Sequence, residues 1–210
     1  MIEPHTYSLF LLTALVLVLS PGPDTILILS RTVSNGTAAG LATLLGTQTG
    51  NVIHALLAGM GVSSLILLYP YAFDLLKYAG AAYLVYLAVM AWRSPEMLAL
   101  DDLHQEMKSS FAKYFYQGLT NNLVNPKMIP FFIALFPQFV YPESGSVAVQ
   151  SLMLGATLAG MALLWLGILV FLVGRFRTVV SASAKFQIFA NRFAAVTFFG
   201  LACRLVVQER

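Results

Sequence analysis

Residues 37–68 run without a single Asp, Glu, Lys or Arg, and a helix of that length is more than enough to cross the ~30 Å hydrocarbon core of a bilayer. Such a chain belongs in a membrane. The rest agrees: 59% of the 210 residues are apolar and 10% charged, against roughly 25% charged in an ordinary soluble domain. Soluble enzymes, secreted modules and disordered scaffolds are therefore disfavoured. So is nucleic-acid binding, because the net charge of +3 comes from 12 scattered cations against 9 acids, too few to track a phosphate backbone. Cys203 is the only cysteine, which removes an intrachain disulfide, a thiolate metal cluster and a CxxC redox pair.

The pattern accommodates six crossings. The first, about 6–30, carries the interruption Pro21-Gly22-Pro23-Asp24; without a basic leader or an A-x-A site it reads as an uncleaved span. The second ends near Leu68 before Tyr69-Pro70, and the third, 73–92, is closed by Arg93-Ser94-Pro95. Polar residues 93–113 form a loop in water. The fourth span, 115–140, is interrupted at Asn125-Pro126-Lys127; the fifth, 147–173, is the cleanest; the sixth, 186–206, must let Arg192 and Arg204 snorkel. Arg31, Arg93, Lys108, Lys113, Arg175, Arg177 and Lys185 all fall in loops on one side. The positive-inside rule makes that side cytoplasmic and puts both termini outside.

Spans one to three and four to six each cross an odd number of times, so two such halves sit inverted to one another. The expected fold is an all-α integral membrane domain over 1–210, with repeats at about 6–92 and 114–207 and a cytoplasmic loop between. Each half opens with a proline-broken helix. Proline removes an amide donor, and the residue before it leaves helical geometry. Freed backbone groups cannot face lipid, so both breaks point into protein or a watery cavity. Paired interruptions in two halves mark a transporter binding site, half-helix N-termini offering bare amides to an anionic group. Asp24 suits the first turn of such a half-helix; Lys127 opposes its dipole. The two charges either form an ion pair locking the halves or receive the ammonium and carboxylate of a zwitterion.

At these residues the chain resembles the LysE/RhtB family of amino-acid exporters. The likeness runs through Leu19-Ser20-Pro21-Gly22-Pro23-Asp24-Thr25, Ser30-Arg31, Gly36 to Gly40, Gly46-Thr47-Gln48-Thr49-Gly50, Asn125-Pro126-Lys127 and Phe132 to Phe139. It implies a bacterial inner-membrane exporter driven by the proton gradient, with amino acid and protons as partners and no cofactor. Candidate substrate-binding residues are Asp24, Lys127, Pro21, Gly22, Pro23, Asn125, Pro126 and Gln48. Few acids besides Asp24 lie inside the spans, which favours a neutral amino acid of the homoserine, threonine or leucine kind, with apolar contacts from Phe131, Phe132 and Phe136. Asp24 would then alternate between substrate ammonium and an incoming proton as one half rocks against the other.

Other features carry less. His54 suits a satisfied core histidine better than a proton relay, by about two to one. The run Asp101-Asp102-Leu103-His104-Gln105-Glu106 has metal-ligand types but reads as a solvated charge run, and no metal site is expected. Gly46/Gly50 spacing serves helix packing within a monomer at least as well as a homodimer. Asp74 at a span mouth pairs with Lys77 or Tyr78 more simply than it attracts substrate. No nucleophile triad supports an intramembrane enzyme, and the spans lack the carboxylates, thiols and histidines that export of a divalent metal would use. Active transport and a passive channel differ in whether an uncoupler collapses accumulation.

Overall fold

The computed structural model of the chain describes residues 2–68, 72–93, 109–175 and 184–207. Every regular element among the described residues is helical. Helix α1 (Pro4–Leu19) ends at Ser20, which is extended as the following Pro21 requires. Gly22 is extended as well, and Pro23 opens α2 (Pro23–Asn35), where its missing amide costs nothing. The two meet at 48° and together are apolar enough for one broken span. Gly36 stops α2 with φ 94, a left-handed conformation that favours glycine.

Three helices follow: α3 (Thr37–Leu68), α4 (Ala72–Arg93) and α5 (Phe111–Leu123). Ser110 caps the last, its hydroxyl accepting from the Lys113 amide. Beyond the second break comes α6, an α-helical turn (Met128–Pro130) that continues as a π turn (Phe131–Leu135) and a 3-10 turn (Phe136–Phe139). Pro130 and Pro137 each delete an amide donor, so no uniform hydrogen-bond ladder can form along it. The chain ends with α7 (Val147–Arg175), long and apolar enough to cross a bilayer alone, and α8 (Ala184–Val207).

Small residues determine the packing. Thr37 lies against Gly174, Gly40 against Val170, Leu44 against Gly167, Ala55 against Gly155 and Gly59 against Ser151. Each step forward on α3 is a step back on α7, so the two run antiparallel. Helix α5 runs the same way as α3: Gly118 abuts the Thr43 backbone, Gly46 the backbone of Phe115 and Leu119, and Gly50 the Asn122 side chain. The Gly46/Gly50 pair therefore serves packing inside the monomer. Helix α4 packs on α8, and α1 on α7 and α8.

One end of the bundle gathers Thr32, Thr37, Gly40 and Gly174, with Tyr114 packed on Ala39 and Ala42. The chain positions of Arg31, Lys113 and Arg175 are thereby brought to a common end. Arg192 lies over the Trp92 ring, 3.7 Å from its centroid, so an aromatic partner accompanies the cation that sequence assigns to snorkelling. Outward faces carry bare Leu164, Phe171 and Val196, an apolar surface suited to lipid. The side chains of Asp74, Lys77 and Arg204, and all of residues 101–106, lie outside the described residues.

Candidate functional site at the meeting of two broken helices

Gln48 and Asn51 fall near the middle of α3, and Leu158, Ala162 and Leu166 near the middle of α7. These residues share one cavity with both breaks, lined also by Leu17, Ser20, Gly22, Asp24, Asn125, Lys127 and Met128. It holds about 410 Å³ of empty space, mouth included. The breaks approach closely: a Cβ on Gly22 would sit 3.2 Å from Lys127 Cδ.

Each charge beside a break is held by the opposite half. Asp24, in the first turn of α2, accepts from Asn121 Nδ2 at 2.7 Å on Oδ1 and from Asn122 Nδ2 at 2.7 Å on Oδ2. Lys127 Nζ donates to the carbonyls of Leu17 at 2.8 Å and Ser20 at 2.6 Å. Neutral groups thus satisfy the two charges separately, and the locking ion pair is not what holds them. This arrangement also accounts for a cation at the start of a half-helix. The Lys127 ammonium reaches the C-terminal end of α1, where the last carbonyls lack helical partners and the dipole welcomes positive charge.

The two N-terminal ends differ. At α2 no side chain caps the helix, and Pro23 has no amide, which leaves the first-turn amides of Asp24 and Thr25. At α6 the Asn125 side chain accepts from the Lys127 amide at 2.8 Å, and its carbonyl accepts from Met128 and Ile129. Only the first break therefore offers the bare amides that the sequence suggests for both.

Among the sequence-derived candidates, Gly22, Asp24, Gln48, Asn125 and Lys127 line the cavity. Pro21, Pro23 and Pro126 do not; they shape the backbone around it. Phe131, Phe132 and Phe136 are also elsewhere, buried in the core, and the apolar wall comes from Leu17, Leu158 and Leu166 instead. Sequence reasoning missed Asn51, Asn121, Asn122 and Tyr83. Asn122 donates to Asn51 at 3.0 Å, Asn51 to Gln48 at 2.7 Å and Gln48 to Thr47 at 3.0 Å, a buried amide chain ending on Asp24. The Tyr83 hydroxyl donates to the Lys127 carbonyl. The available signal was the neutral pair Asn121-Asn122 just before the second break. His54 stacks on Phe132 with centroids 5.1 Å apart, and its Nε2 lies 3.3 Å from the Asn122 carbonyl, the surroundings of a core histidine.

The LysE type translocator model matches residues 15–209. The chain belongs to that family. It is therefore a membrane translocator. It is 40% identical over 148 residues to a homoserine/homoserine lactone efflux protein of Salmonella typhimurium, covering 70% of each chain. Over nearly its whole length it is 30% identical to the uncharacterized membrane protein YrhP of Bacillus subtilis, with 95% of this chain and 98% of the relative covered. No solved structure matches.

Proposed function

We infer that this translocator exports a small neutral amino acid of the homoserine kind across the bacterial inner membrane in exchange for protons. The observation that carries the reading is the central cavity where an acid from one break and a cation from the other face the same space. Asp24 receives the substrate ammonium. The Lys127 ammonium has three donors and spends two on Leu17 and Ser20, leaving one for a carboxylate. The open amides of α2 assist it.

The Salmonella relative is named for both homoserine and its lactone. A lactone keeps the amine but has no free carboxylate. Amine recognition at Asp24 is then the larger contribution and carboxylate recognition at Lys127 the smaller. Asp24 also carries the counter-transported proton, exchanging it for the ammonium as the halves rock.

Two halves of inverted topology, about 6–92 and 114–207, suit this mechanism. Alternating crossings require α3 and α7 to be antiparallel and α3 and α5 parallel, and both relations hold in the packing. A two-fold relation also pairs α3 with α7 and α4 with α8, and those pairs are in contact. By the positive-inside rule, the end that gathers Arg31, Lys113 and Arg175 is the cytoplasmic one in this reading, and the termini are then outside.

The test uses everted membrane vesicles with labelled homoserine and an imposed pH gradient. Homoserine should accumulate above its outside concentration, and an uncoupler should collapse that accumulation. Equilibration without accumulation would indicate a passive pore and overturn the coupling. A panel of toxic amino-acid analogues, scored for resistance with and without the protein, then ranks substrates.

A further inference from the structure

A second cavity, with about 510 Å³ of empty space, mouth included, lies toward the other end of the bundle, lined by residues of α1, α4, α6 and α8 together with Tyr141. Gln138 lines it. This side chain is 91% buried, with 9% of its surface exposed, yet its Nε2 has no acceptor. A buried amide donor left unpaired is costly, so a transient partner in the cavity is the natural use for it. Thr13, on the opposite wall, spends its proton on the Leu9 carbonyl at 2.8 Å, which leaves its oxygen free to accept. Thr6 lines the same space.

Both cavities lie along α1 and α6. The central one touches Leu17 and Met128, the second Thr13 and Leu135. The same two helices carry an aromatic block: Phe10 meets Phe136 edge-on at 6.1 Å, and Phe132 lies 5.1 Å from Phe136. All three rings are nearly inaccessible. The block includes the π turn of α6, a segment with irregular bonding of the sort that marks hinges.

We propose that this second cavity is an exit-side subsite for the exported solute, where Gln138 Nε2 donates to a substrate oxygen and the Thr13 and Thr6 hydroxyls accept from its ammonium. Neutral partners hold a zwitterion more weakly than Asp24 and Lys127 do, as release requires. The same amide donor serves a carboxylate or a lactone carbonyl, so this subsite does not distinguish the two. The proposal rests on export of a small amine through the central cavity.

The experiment replaces Cys203, an exposed thiol, by serine and introduces Leu9→Cys, on the cavity wall, as a reporter in proteoliposomes. Homoserine should slow modification of the reporter by an impermeant methanethiosulfonate. With Gln138→Leu, and equally with Gln138→Glu, about fivefold more homoserine should be needed for the same protection, the loss of one neutral hydrogen bond. Asp24→Asn should leave the protection curve in place while stopping transport. If homoserine is transported yet gives no protection, or if both Gln138 variants protect like the parent, the subsite is overturned and the central reading stands. If the reporter protein does not transport homoserine although the unmodified protein does, His5→Cys replaces Leu9→Cys and the same criteria apply. If the unmodified protein does not transport homoserine, both readings fall together.

Discussion

The two broken helices use one device for different ends. After Pro23 the chain becomes a regular α-helix of 13 residues with an uncapped start; after Pro126 it becomes an irregular segment capped by Asn125. The composition following each break accounts for the divergence. Residues 24–35 contain no proline, whereas Pro130 and Pro137 interrupt the second segment twice. The lesson is a division of labour. The first break leaves its helix start uncapped, and the second is closed on itself, its lysine tying down the end of α1.

That contrast orders the expected effects of mutation. Asp24→Asn should have the largest, because it removes the only charge held by Asn121 and Asn122. Proton-driven efflux of homoserine and of its lactone should both fall roughly 30-fold or more, the usual consequence of losing about 2 kcal/mol or more at a hydrogen-bonded charge. Vesicle efflux at matched protein levels measures this, and unchanged efflux would falsify the proton-carrier role. Lys127→Met should come next. It strips the donors from the Leu17 and Ser20 carbonyls and should lower stability by about 1.5–3 kcal/mol, read as a fall in Tm in detergent. It should also weaken homoserine binding more than lactone binding; equal losses would make Lys127 a purely structural clasp.

Gly50→Ala tests the support behind the first break. Its Cβ would collide with Asn122, the residue that orients Asp24, at a cost of about 1–3 kcal/mol. Transport should fall with it. Gly160 has nothing within 4 Å of its hypothetical Cβ, so Gly160→Ala should leave transport unchanged. The smallest loss belongs to Asn125→Ala, which opens the second break by removing a cap worth about 1 kcal/mol. A modest drop in Tm is expected, and no drop at all would mean that the two helix starts are equivalent after all.

Much of this was legible beforehand because proline acts locally. Pro21, Pro23 and Pro126 dictate where helices stop whatever surrounds them, and the break positions follow. Charge asymmetry between loops likewise needs only the order of the chain. The holders of the charges were not legible. Asn51, Asn121 and Asn122 are ordinary neutral residues in sequence, and nothing local says that two of them converge on Asp24 from 97 and 98 positions away. The phenylalanines misled for the same reason: proximity to Lys127 in sequence suggested a substrate wall, but the helical turns that follow carry them into the core.

The amino-acid sequence by itself determined that the chain is helical and lipid-embedded, and that two of its helices break beside charges of opposite sign. These are consequences of composition and of backbone sterics, which act within a few residues. Tertiary packing decided that Asp24 and Lys127 are each satisfied by the opposite half without an ion pair, and which glycines bring α3 against α5 and α7. Hydrogen bonds between distant segments depend on how helices are placed against one another, and that placement exists only once the whole chain has packed.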